Sequence, residues 1–172
     1  MHRLPAPDGV ERLERGEIDL LLFPRLHALH AHPFEVRLED RYCCVVWSGG
    51  SLADEALSAE DYFDAGHVAT RLGPNATPDL DTWFRISFGR QRRVEVTTCN
   101  FVSSARLVVG TQRIATVHAR LAQQLARSLP LKLLPAPFDI PPMVGVMQWH
   151  RYKSQDPALS WLRGVIREVA TA

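Results

Sequence analysis

The sequence predicts an α/β fold with a largely parallel sheet, and three observations carry that prediction. Short apolar runs such as Ile18–Phe23 and Ile114–Val117 are bounded by proline, glycine or polar residues, as buried strands are. Segments with apolar residues at helical spacing follow them, several opened by capping residues. Strand and helix signals then alternate in units of roughly 15–25 residues, the pattern of βαβ architecture.

The elements follow in order. Asp8-Gly-Val-Glu11 reads as a capping box opening a helix with Val10 and Leu13 on one face and Gly16 as its stop. Ile18–Phe23, ended by Pro24, is so apolar that neighbours are expected to cover it on both sides. Residues 25–33, "RLHALHAHP", read as a loop. Phe34–Glu39 alternates with period two and leads into Tyr42–Trp47, giving two strands closed by Ser48-Gly-Gly50. Ser58 and Asp61 cap a short helix to about Ala65, and Gly66–Arg71 is a strand. Thr77-Pro78 supplies an N-cap and a proline at the first helical position, ahead of Leu80, Trp83, Phe84 and Phe88 on one face. Val94–Thr98 is a strand, and Asn100 caps a helix carrying Val102, Ala105 and Val109 to Gly110. Ile114–Val117 and the Ala/Leu-spaced helix after it, Leu131–Leu134, Met143–Trp149 and a helix opened by Asp156-Pro157 complete the chain.

The 172 residues, 46% hydrophobic and 23% charged, fit one domain or two small ones. A chain this long buries roughly 70% of its unfolded surface, enough for a core without staples. The formal charge is +1 and no basic run exceeds Arg92-Arg93, so the electrostatic footprint of a nucleic-acid binder is absent. Cys43, Cys44 and Cys99, odd in number with two adjacent and all in apolar, strand-like runs, suit reduced thiols in a cytoplasmic setting. The N-terminal stretch "MHRLPAPDGVERLERGE" has no apolar leader region, and no run reaches membrane-spanning length.

Three blocks, in order, resemble one family. "LERGEIDLLLFP" is similar to a helix–strand unit of the effector-binding domain of LysR-type transcriptional regulators. "VVGTQRIATVHARLA" resembles a later segment of that domain, with His118 standing where the family usually has proline. "MQWHRYKSQDPALSWLRGVI" resembles the C-terminal end of the nodulation and aromatic-catabolism branch. The resemblance implies two Rossmann-like subdomains of the periplasmic-binding-protein type 2 kind, with a ligand cleft between them. The first would comprise residues 1–65 plus 142–172, lacking its first strand and helix, and the second residues 66–141. It further implies a small aromatic effector, a homodimer or homotetramer, and DNA contact only through a winged helix-turn-helix that these 172 residues do not contain. No cofactor, metal or membrane is implied.

In open α/β sheets ligands bind beyond the carboxyl ends of the strands, where helix starts present free N–H groups. That rule selects Thr70, Arg71 and the loop to Asn75; Cys99, Asn100, Phe101 and Val102; and Val117, His118 and Arg120. From the first subdomain it selects Phe23 and Pro24. Together they offer rings, amide donors and cationic groups, suited to an aromatic ligand bearing a carboxylate or phenol. Plain structural readings stand beside these: Arg71 and Arg120 as solvent-facing charges, Asn100 as a cap, Phe101 as core, and His118 as a capping or exposed residue. His118 and Arg120 pose a particular question, because basic groups at a helix start are electrostatically disfavoured: either both point into solvent, or something anionic or polar sits there.

His27, His30 and His32 lack a Cys or carboxylate at ligand spacing, so a loop is the simpler reading than a metal site. No G-x-S-x-G elbow, G-x-G-x-x-G or phosphate loop is present, and Ser103-Ser104 with His118 lacks a third orienting group, so no catalytic residue is assigned. The expected function is small-molecule sensing within a transcriptional regulator. The alternatives are a bilobal solute-binding protein or a non-functional truncated regulator.

Overall fold

A computed structural model describes residues 8–54, 56–71 and 79–171, without the side chains of Asp8, Asp79 and Thr171. The capping box at Asp8, the Thr77-Pro78 helix start and Asn75 therefore lie outside the described residues. In chain order the elements are α1 (Asp8–Glu14), β1 (Leu20–Pro24), β2 (Phe34–Asp40), β3 (Tyr42–Trp47), α2 (Ala59–Asp64), β4 (Gly66–Thr70), α3 (Asp79–Phe88), β5 (Arg93–Thr98), α4 (Phe101–Arg106), β6 (Arg113–His118), α5 (Ala119–Leu125), β7 (Leu131–Pro135), β8 (Met143–Trp149) and α6 (Pro157–Thr171). Among the described residues no helix is long and apolar enough to cross a membrane.

The chain divides into two units, residues 1–39 with 142–172 and residues 40–141. Residues 40–65, grouped with the first unit in the sequence reading, pack in the second, because β3 hydrogen-bonds to β6 and β7.

The first unit holds a three-stranded sheet in the order β1-β8-β2, with β1 antiparallel to β8. Met147, Trp149 and Leu159 form its core, with Leu20 and Ile166 packed alongside. α1 ends as the sequence predicts. Gly16 takes φ +72°, while its N–H donates to the Leu13 carbonyl and that of Glu17 to the Arg12 carbonyl, a Schellman stop that needs glycine. β1 departs from expectation: among the described strands it pairs only with β8, and Leu22 is 57% exposed.

Residues 25–33 are pinned rather than loose. The fully buried Gln148 accepts from the Leu29 N–H (3.0 Å) and donates through Nε2 to the carbonyls of Leu29 (2.7 Å) and His32 (3.0 Å). His32 in turn accepts the Arg151 N–H at Nδ1 (3.3 Å), its ring 4.5 Å from that of His150.

The second unit has a five-stranded sheet, β5-β4-β6-β3-β7, covered on both faces. β4 runs parallel to β5 and β6, while β3 is antiparallel to β6 and β7. The expected largely parallel sheet is thus mixed, and the exception has a physical cause. β4 to β7 each follow a helix, whereas β3 enters this sheet directly from β2 of the first unit's sheet, after Arg41 alone and with no helical crossover to set it parallel to its neighbours.

Alternation along β3 and β6 sorts side chains to two cores. Cys44, Val46 and Ile114 join Tyr62, Phe63 and Phe84 on one face, and Val45, Ala115 and Val117 join Ala105, Val108 and Ala122 on the other. α2 opens on the predicted capping box: the Asp61 N–H donates to Ser58 Oγ, and the Asp61 carboxylate accepts from the Ser58 N–H.

The cysteines are free. Burial pushes the thiols of Cys43 and Cys44 up to about 11 and about 12. Cys99 differs from expectation in being exposed, because β5 ends one residue before it.

His67, fully buried at the start of β4, bonds the Tyr62 carbonyl through Nε2 at 2.6 Å, while Nδ1 has no partner. Burial pushes its pKa down to about 4, the Tyr62 bond opposing the shift. The unfolded chain takes up a proton near pH 6.5 and the folded chain only near 4. The neutral imidazole's contribution is therefore complete above pH 6.5 and is lost as pH falls toward 4, by about 3 kcal/mol. Urea titrations at pH 7 and 4.5 should show that loss, and His67→Gln, which keeps a donor but does not titrate, should flatten it. An equal acid loss in His67→Gln would assign the effect elsewhere.

Candidate functional site

The carboxyl ends of β4, β5 and β6 converge at one edge of the second unit's sheet. Because β3 is antiparallel, its beginning, at Asp40, Arg41 and Tyr42, arrives at the same edge, with Tyr42 paired to His118. Four chain segments therefore meet there.

From β4 comes Thr70, half-buried, whose Oγ1 lies 2.5 Å from the Oγ of the fully buried Ser104 in α4. Thr98, ending β5, places its Oγ1 2.7 Å from the same Ser104 oxygen and donates to the Asn100 carbonyl at 2.9 Å. These three hydroxyls form a small polar cluster between two strand ends and a helix. Asn100 is the N-cap of α4, its side-chain oxygen accepting the Ser103 N–H at 2.8 Å. α4 runs only to Arg106, short of the expected Val109, and the chain turns through Gly110 at φ +74°.

At the end of β6, the half-buried His118 ring lies 4.7 Å, centroid to centroid, from Tyr42 in a tilted contact and 4.7 Å from Phe101 in an edge contact. Its Nδ1 is buried and makes no hydrogen bond. Burial lowers the His118 pKa against the opposing pull of Asp40, so the ring is neutral near pH 7. His118 is the N-cap residue of α5 but makes no side-chain cap bond.

Asp40 puts an anion at this corner, while Arg120 itself is exposed. The Asp40 carboxylate, 6% exposed, accepts the Arg120 N–H at 3.3 and 3.4 Å, and the Ala119 N–H donates to the Arg41 carbonyl at 2.8 Å. A carboxylate at a helix start is favourable by about 0.3–2 kcal/mol, which offsets the unfavourable placement of Arg120 in that first turn.

Thr70, Asn100, Phe101, His118 and Arg120 thus belong to this edge. Arg71 is exposed, and its N–H donates to the Thr98 carbonyl at 2.7 Å. Val102 is 37% exposed. Val117 is fully buried in the core, so its side chain is committed to packing. Phe23 and Pro24, half-buried at the end of β1, belong to the first unit. The sequence did not single out Asp40, Tyr42 or Thr98 for the site, and it offered Ser104 only as a nucleophile. The advance signal for Asp40 was the polar break "EDR" between two strands, and its meaning depends on β3 lying beside β6, about 75 residues later in the chain. A Ser104–His118 pair does not form, because Ser104 is engaged with Thr70, Thr98 and the Asn100 carbonyl.

The first unit carries a surface hollow of about 360 Å³ at the start of α6, lined by Leu159, Trp161 and Leu162 with the exposed ion pair Lys153–Asp19 at its rim. It lacks converging strand ends and buried polar groups, so the second unit's edge is the stronger candidate.

Comparison with known proteins agrees with this placement of elements. Nodulation protein D 2 of Rhizobium tropici is 34% identical over 166 residues, covering 96% of this chain and 52% of that protein. The regulatory domain of MexT, a transcriptional activator in Pseudomonas aeruginosa, superposes with a TM-score of 0.79 at 24% identity, over 93% of this chain and 76% of that one. The effector-binding domain of BenM with its effector benzoate superposes with a TM-score of 0.73 at 15% identity, over 95% and 74%. The fold is the mixed α/β arrangement of these domains, of periplasmic-binding-protein type 2. The chain spans about half the length of the curated relatives it matches. The LysR substrate-binding domain profile matches residues 2–171, and the chain belongs to that family.

Proposed function

We infer that this domain senses a small aromatic molecule bearing a hydroxyl or a carboxylate, held at the strand-end edge of the second unit. The observation that carries the reading is the convergence, on one edge, of a hydroxyl cluster (Thr70, Thr98, Ser104) and a ring cluster (Tyr42, His118, Phe101). Hydroxyls orient a polar substituent, and the rings supply apolar and stacking area, the usual division of labour in small-ligand sites. Asn100, Val102, Arg71 and Arg120 border this edge and complete the proposed contact set. In the whole protein, unequal affinity of the ligand for two arrangements would shift their balance. The family resemblance suggests that a homodimer or homotetramer and a separate DNA-binding part would relay that shift.

The test is calorimetric melting of the chain with a panel of hydroxybenzaldehydes, hydroxybenzoates and flavonoids. A ligand at about 100 times its Kd stabilises by about 2.7 kcal/mol, several degrees of melting temperature. At least one panel member should produce that rise, and Thr70→Val, which removes the half-buried hydroxyl ending β4, should cut its affinity about tenfold, the worth of one well-placed hydrogen bond. A flat response across the panel would count against the reading.

A further inference from the structure

We propose that Asp40 sets the charge class of the ligand, filling the start of α5 with the chain's own carboxylate so that the edge takes a neutral hydroxylated ring and refuses a carboxylate. This rests on the edge of the second unit being the ligand site. The first amides of a helix carry partial positive charge. Here Ala119 and Arg120, the first two residues of α5, give their N–H groups to Arg41 and Asp40. These two amides are engaged, and a negative charge stands beside them.

The sign of the local field follows from burial. Asp40 is 6% exposed and is felt at both His118 and Cys43, where it acts to raise the pKa. The cations nearby in sequence, Arg41, Arg71 and Arg120, are exposed, so water and salt screen their charge far more than that of Asp40. His118 is neutral near pH 7 and provides no compensating charge. Of the other polar groups at this edge, the half-buried Thr70 and Thr98 hydroxyls and the Asn100 amide can meet a neutral hydroxyl without requiring a charge. A ligand carboxylate brought to this edge meets a buried like charge, a juxtaposition that interfaces use to reject wrong partners.

The matched probes are 4-hydroxybenzaldehyde and 4-hydroxybenzoate, which share ring and hydroxyl and differ in the carboxylate. Titration calorimetry on the unaltered chain should show the aldehyde binding at least about tenfold tighter. In Asp40→Asn, whose amide oxygen can still accept the Arg120 N–H, the benzoate should gain at least about tenfold while the aldehyde changes by less than about threefold. Equal binding of the two rings to the unaltered chain, or an unchanged preference in Asp40→Asn, removes the role given to Asp40 and leaves the site standing. No binding of either ring to either form, with no amide shift at Thr70, Asn100 or His118, overturns the site and this inference together. The comparison on the unaltered chain needs no variant, so a misfolded Asp40→Asn does not shield the proposal.

Discussion

Replacing Phe84 with alanine is expected to lower the stability of the second unit by about 3–5 kcal/mol, the range for removing a buried aromatic ring. Phe84 is fully buried, and its ring lies 4.9–6.1 Å from those of Trp83, Tyr62, Phe138, Phe63 and Phe88. These rings come from α2, α3 and the segment after β7, so the cavity would open where several elements meet and no single one can close it. The Arg92 guanidinium, 7% exposed, lies 5.7 Å from the same ring and is held by Asp81 at 2.5 Å. Losing the ring therefore also loosens the cover over a buried ion pair, which points to the upper part of that range. Urea unfolding followed through Trp47 and Trp83 should report the loss. A change below about 1 kcal/mol, the size of a surface substitution, would mean the cluster is not the unit's core.

The second large effect lies in the first unit. Gln148→Leu keeps the volume of a fully buried side chain but removes three hydrogen bonds at once, stranding the Leu29 N–H and the His32 carbonyl and leaving the Leu29 carbonyl only the His32 N–H. Each buried group left unpaired costs about 1–3 kcal/mol, so a total near 3 kcal/mol or more is expected. The loss should be local first: amide exchange should quicken at Leu29 and His32, then spread to β8. Gln148→Glu should be nearly as costly, since the ionised carboxylate cannot donate to either carbonyl. Exchange at Leu29 and His32 unchanged from the parent chain would show that the segment holds itself.

The contrast between these residues explains what the sequence made legible. Phe84 was readable because helical spacing reports burial locally, and Ser58, Asn100 and Gly16 because caps and stops are fixed by neighbours within a few positions. Gln148 was not, since nothing within the strand Met143–Trp149 says that its amide serves a segment 119 residues away. The antiparallel entry of β3 was hidden for a related reason: the alternating pattern gives a strand its faces, not its direction. Asp40 follows from that entry. The sequence left open whether solvent or an anion meets the basic start of α5, and only the pairing of Tyr42 with His118 brings Asp40 there.

Amide chemical-shift mapping of the ligand's resting place tests the account most directly. On saturation of the labelled chain with 4-hydroxybenzaldehyde, the largest shifts should fall at Thr70, Arg71, Thr98 to Val102 and His118 to Arg120, around the hydroxyl cluster and the His118 ring cluster. Shifts confined instead to Asp19, Lys153 and Trp161, around the hollow at the start of α6, would contradict it.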